Sequence, residues 1–155
     1  MGNLAGLLYA QGKLGEAEPL YREALEAQRD MLGPRHPITL TSMNNLATML
    51  QDQGKLGEAE PLYRETLEAQ RDTLGPRHPS TLLSMNNLAR LLQAQGKLGE
   101  AKPLLHQALL GFWEVRGASH PSTRTIYNNL QALLTAQGAA REARELTAKY
   151  GAAGR

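Results

Sequence analysis

Residues 45–84 read NLATMLQDQGKLGEAEPLYRETLEAQRDTLGPRHPSTLLS, and residues 3–42 repeat them at 32 of 40 positions. Residues 87–126 agree with 45–84 at 20 of 40, where unrelated stretches would share about two or three. The frame continues into a fourth copy. Gly12, Gly54, Gly96 and Gly138 align, as do Ala17, Ala59, Ala101 and Ala143, and His36-Pro37, His78-Pro79 and His120-Pro121 mark the connectors. A 42-residue period thus organises one repeat domain over 1–155, with copies near 1–34, 35–76, 77–118 and 119–150 and an expected flexible tail at 151–155.

Each copy reads as two helices. In copy two, Leu40, Met43, Leu46, Ala47 and Leu50 recur at helical spacing from Pro37 to about Gln53. Proline suits the first helical turn, where its missing N–H costs little, and Gly54 suits the left-handed position past the last turn. A second stripe of Leu56, Ala59, Leu62, Tyr63, Thr66 and Leu67 predicts a helix from about Gly57 to Leu74, ended by Gly75-Pro76. Valine occurs once and isoleucine twice, so no strand signal competes. The fold class is all-α. A single helix pair cannot bury both its faces, and stacking four pairs supplies a continuous core.

Composition narrows the function. The 155 residues carry a formal net charge of +2, too small an excess to imply nucleic acid as a partner. No cysteine is present, which removes disulfide and thiolate chemistry and suits a reducing compartment. No stretch reaches the roughly 18 apolar residues of a membrane span. A cytoplasmic location with no membrane partner is the expectation. No nucleophile elbow, phosphate-binding loop or paired metal-ligand motif occurs, so no enzyme activity and no cofactor are expected.

The pattern of residues 43–67, Met-x-Asn-Leu-Ala-x-x-Leu-x-x-Gln-Gly-Lys-Leu-x-x-Ala-x-x-Leu-Tyr-x-x-x-Leu, resembles the tetratricopeptide repeat. The 42-residue period, the HPxT connector and the NNLA and AEPLYRE segments are most similar to repeats of the kinesin light chain and nephrocystin type. That resemblance implies a right-handed superhelical solenoid of antiparallel helix pairs, whose first helices line a concave groove that holds peptide segments of partners. Copy one begins inside its first helix, as a fragment or an uncapped end would. Copy four has Gln131 where Ala5, Ala47 and Ala89 stand, and a looser helix contact is expected there. No heptad segment of the sort that joins a motor heavy chain is present.

Carried over residue by residue, the implied groove comprises Asn3 and Tyr9 in copy one, and Thr41, Asn44, Asn45, Thr48, Gln51 and Asp52 in copy two. Copy three adds Asn86, Asn87, Arg90 and Gln93, and copy four adds Asn128 and Asn129. An asparagine amide both donates and accepts, so it binds peptide backbone regardless of sequence. The second asparagine of each pair is placed nearer the core. Of the eight differences between residues 3–42 and 45–84, four (Gly6 to Thr48, Leu7 to Met49, Tyr9 to Gln51, Ala10 to Asp52) fall between the first helices of copies one and two. Constant framework with one varying face is what a binding array requires. The partner expected is a protein or peptide; the alternative is a structural segment of a longer repeat array, or a spacer that self-associates through uncapped ends.

The connector histidines cannot share a metal ion. Zinc needs ligands within about 2.1 Å, whereas equivalent positions on stacked helices lie roughly 10 Å apart. They are expected to cap or pack the connectors. Glu16, Glu18, Glu23 and Glu26 are expected to pair with Arg22 and Arg29 along the second helices as a solvated face. Phe112 and Trp113 replace Gln-Arg of the earlier copies, and one of them is expected to fill the gap against the irregular fourth copy.

Overall fold

The computed structural model describes residues 2–151, with side chains from Leu4 onward. Eight α-helices and no strand occur among the described residues: α1 (Gly2–Ala10), α2 (Leu14–Leu32), α3 (Pro37–Asp52), α4 (Leu56–Leu74), α5 (Pro79–Ala94), α6 (Leu98–Arg116), α7 (Pro121–Ala136) and α8 (Ala140–Tyr150). The observed ends of α3 and α4 fall within one residue of those read from the sequence. The residues form two compact units, 1–73 and 74–155.

In unit 1 the apolar stripes pack as their spacing requires. Leu40, Met43, Leu46, Ala47 and Leu50 of α3 are all buried, as are Ala59, Tyr63 and Leu67 of α4. Each fully buried leucine contributes roughly 1.5–3 kcal/mol relative to exposure. Alanines 5, 17, 47 and 59 are buried completely, and their small side chains suit close approach of helices.

The turn joining α3 to α4 explains the Gln-Gly-Lys segment. Gly54 adopts φ +76°. Its N–H donates to Gln51 O at 2.9 Å, while the Lys55 N–H reaches Leu50 O at 2.8 Å. Two carbonyls that the helix end leaves unpaired are thereby satisfied, at a backbone angle only glycine adopts freely.

The HPxT connector works through two side chains. Nδ1 of His36, His78 and His120 accepts the backbone N–H two residues on, at 3.2, 3.1 and 3.2 Å, capping α3, α5 and α7. The buried Thr39, Thr81 and Thr123 each donate at 2.8 Å to the carbonyl of Gly33, Gly75 or Gly117 at the start of the connector. One residue opens the helix, and the other fixes the connector against it.

Charges in unit 1 mostly pair between elements rather than along one helix. Arg22 bonds to Glu18 four residues earlier at 2.9 Å and also to Glu58 in copy two at 2.7 Å. Arg29 reaches Glu65 at 3.1 Å, Arg35 reaches Asp72 at 3.0 Å, and Lys55 reaches back to Glu18 at 2.7 Å. The Lys55 and Arg22 hydrogen bonds hold the Glu18 carboxyl down at about 2. Glu16, Glu23 and Glu26 have no cationic partner among the described residues, which corrects the expectation that they pair along α2. The reason is geometric: Arg29 is drawn across to Glu65 instead of back along its own helix.

Unit 2 keeps this scheme in altered form. Arg77 pairs with Glu114 as Arg35 does with Asp72. At the boundary between copies three and four, His106 stands where Arg22 does, and Lys102, at the position of Glu18, pairs with Glu142. Phe112 is buried and stacks on His120 with centroids 5.9 Å apart. Trp113 is half-buried, edge-on to Tyr150 of α8 at 4.8 Å. Gln131 donates to Ala143 O at 3.1 Å and to the Tyr127 hydroxyl at 3.0 Å, so a polar bond links α7 to α8 where other copies have alanine.

Candidate peptide-binding faces

First helices α1 and α3 of unit 1 carry the candidate residues of copies one and two. Asn3 lies outside the residues whose side chains are described. Tyr9 is half-buried, and its hydroxyl donates to Asp52 Oδ2, joining α1 to α3. That bond, then burial, pushes the Tyr9 phenol up to about 12. Asp52 is exposed, at the last turn of α3.

Three more α3 residues are already engaged. Thr48 Oγ1 lies 2.9 Å from the hydroxyl of buried Tyr63, which also donates to Gln51 Oε1 at 3.2 Å. A second-helix tyrosine thus fixes two of the candidate positions, a connection that the tyrosine's place in the apolar stripe concealed. Thr41 is exposed, but its hydroxyl donates to Pro37 O at 2.9 Å within its own helix. Asn45 is exposed and Asn44 half-buried.

In unit 2 the asparagines separate into two classes. Asn86 is only 5% exposed, and its Oδ1 accepts from Asn129 Nδ2 at 2.8 Å. Asn87 and Asn129 are half-buried, whereas Asn128 is exposed. The expectation that the second asparagine lies deeper therefore fails in copies two and three, where Asn44 and Asn86 are the more buried, and holds in copy four. The helix period places the first asparagine one residue after a core methionine, Met43 or Met85, and rotates the second outward. Asn86 ties α5 to α7 and leaves the set of exposed amides.

Arg90 is exposed and Gln93 half-buried on α5. On α7, Asn128 and Arg124 border a recess of about 160 Å³ walled by Trp113, Tyr127 and Tyr150. Sequence reasoning singled out Trp113 but missed Arg124, Tyr127 and Tyr150, whose matching positions carry Leu40 and Leu82, Met43 and Met85, and Ala24, Thr66 and Ala108. Among the described residues, no group of three or more His, Asp or Glu side chains is placed to hold a metal ion. No described helix is long and apolar enough to cross a membrane.

Known proteins show similarity at sequence and structure level. The profile of the tetratricopeptide repeat family matches residues 1–72 and 42–110. A solved structure from Podosopora anserina, of a protein assigned as a kinesin light chain with nearly identical TPR-like repeats, is 33% identical with a TM-score of 0.89. The match covers 97% of this chain and 71% of that one. A glutamine-to-methionine variant of the same Podosopora protein matches over the same shares at 31% identity and TM-score 0.90. BtubC (BKLC) from P. vanneervenii shares the fold at 24% identity and TM-score 0.82, over 95% of this chain and 58% of its own. Comparison with curated protein sequences yields no match.

Proposed function

The chain belongs to the tetratricopeptide repeat family, with repeats of the kinesin light chain type, and from that premise we propose that it holds an extended peptide segment of a protein partner against the exposed faces of its first helices. The fold is that of a protein–protein interaction scaffold, a role that involves no chemistry on the partner. The observation that carries the finer reading is the pairing of exposed amides, Asn45 and Asn128, with a changing set of neighbours. The amides suit any backbone, and the neighbours set the sequence preference. A short linear partner must be ordered on binding, so affinities in the micromolar range follow.

The test is selection from a displayed library of random peptides. The native chain enriches a sequence class, and Asn45→Ala with Asn128→Ala loses that enrichment while its helical circular dichroism is unchanged. Enrichment that survives the double change places the site elsewhere.

A second reading, end-on association with another helix pair, is favoured by Leu4 and Leu7. They are 53% and 55% exposed, while their counterparts Leu46 and Met49 are 2% and 0% exposed. Sedimentation at several concentrations separates the two: mass that stays constant excludes self-association.

A further inference from the structure

We propose that the first-helix face of unit 1 takes a basic side chain of the bound peptide, with the Asp52 carboxylate as its counter-ion and Tyr9 as its positioning residue. The inference rests on the groove reading above and names the partner's chemistry at one point of it.

Asp52 is the only carboxylate on any first helix: α1, α5 and α7 contain none. It is exposed, and no cation pairs with it among the described residues. The nearest lysine in sequence, Lys55, is committed to Glu18 at 2.7 Å. Tyr9 donates to Oδ2, which steadies the carboxylate and leaves Oδ1 to accept. The half-buried Tyr9 ring adds an aromatic surface beside it, and a carboxylate with an aromatic ring is a pairing suited to guanidinium or ammonium. Further oxygens lie on the same turn of α3. Gln51 Oε1 and Thr48 Oγ1 are both held by the Tyr63 hydroxyl.

Sequence places this pair where the array departs from its own repeat. At the four positions equivalent to Tyr9, tyrosine occurs once (Tyr9, Gln51, Gln93, Thr135), and at those equivalent to Asp52 aspartate occurs once (Ala10, Asp52, Ala94, Ala136). Copy one supplies the ring and copy two the charge. Two of the four first-helix differences between the copies are the Tyr9–Gln51 and Ala10–Asp52 exchanges, so most of the framework is constant while this contact is made once. The first helices of unit 2 carry Arg90 and Arg124 and no acid, the opposite sign.

The same random-peptide selection, run in parallel on the native chain and on Asp52→Asn, decides the matter. The native chain enriches peptides with arginine or lysine at one fixed position, and Asp52→Asn enriches peptides without that preference. For a synthetic peptide from the native selection, replacing its basic residue by alanine weakens binding roughly fivefold to the native chain, the upper worth of one exposed ion pair. It changes binding to Asp52→Asn by less than about twofold, and Tyr9→Phe gives an intermediate loss. A basic residue that matters equally to both proteins, or enriched peptides with no basic preference, overturns the clasp and leaves the groove reading intact. Enrichment indifferent to Asn45→Ala with Asn128→Ala overturns the groove reading instead, and no enriched peptide at all overturns both.

Discussion

Asn129 donates from Nδ2 to Asn86 Oδ1 at 2.8 Å, linking α5 to α7 through two amides from successive copies. Because Asn86 is buried, Asn86→Ala leaves the Asn129 donor without this acceptor and costs about 1–2 kcal/mol. The exposed Asn45→Ala shifts stability by less than ~0.5 kcal/mol. Urea denaturation separates them, and equal effects would mean the two amides do the same work.

Tyr9 reports on its own contact. Its phenol, raised to about 12 chiefly by donating to Asp52, ionises late in an ultraviolet titration. A folded-state value above the ordinary 10 means this bond stabilises the fold fully below pH 10 and ceases to do so as pH climbs towards 12. Asp52→Asn moves that late step down towards the ordinary value. An unchanged titration would place the hydroxyl away from Asp52.

Gly111 stands where copies one and two have Ala27 and Ala69. A Cβ there would sit 2.5 Å from Leu82 Cδ2 and 2.8 Å from Cδ1. Gly111→Ala, ordinarily a gain in helix propensity, therefore destabilises by roughly 1–3 kcal/mol through overpacking. Combined with Leu82→Val it costs less than the two single changes summed. Thermal unfolding of the three variants checks the coupling.

Thr66 is buried in α4, its hydroxyl without a hydrogen-bond partner among the described residues, at a position that is Ala24 in copy one and Ala108 in copy three. Thr66→Val keeps the shape, removes the unsatisfied hydroxyl and raises stability by about 1 kcal/mol. A loss of stability on calorimetry would show that the hydroxyl is satisfied in solution.

His78 caps α5 by accepting the Ser80 N–H at 3.1 Å. His78→Ala costs about 1 kcal/mol, and His78→Asn, which offers its own side-chain oxygen to the same N–H, recovers most of it. Chemical denaturation of both variants gives the answer directly, since a metal-binding or catalytic histidine would show no such rescue.

The helix pairs were legible because two signals agree at every copy: a 3.6-residue apolar spacing and a glycine or proline at each end. Leu40, Met43, Leu46, Ala47 and Leu50 could face only one way and still be covered. The candidate site was less legible, because exposure on a first helix turns on tertiary neighbours. Asn44, Asn86 and Asn128 are equivalent in sequence, yet they are half-buried, buried and exposed. The pairing of charges between copies was hidden for the same reason. Arg29 has carboxylates in its own helix, and only the packing of α2 near α4 makes Glu65 the partner it meets. The threonine of HPxT reads as a polar loop residue until the carbonyl of Gly33, Gly75 or Gly117 is found beside it.

The exchange of Arg22 and Glu18 for His106 and Lys102 makes the modules directional tiles whose order matters. Copies one and two each present Glu and Arg, at 18 and 22 and at 60 and 64, and copy two receives them with Lys55 and Glu58, so tiles of this type join end to end without limit. A tile like copy three, set before one like copy two, would bring Lys102 to the place where Glu18 meets Lys55, and two ammonium groups would oppose each other. Near-identical neighbours can therefore multiply by duplication, while the third tile is better matched by a successor whose lysine has been lost, as at Ala139.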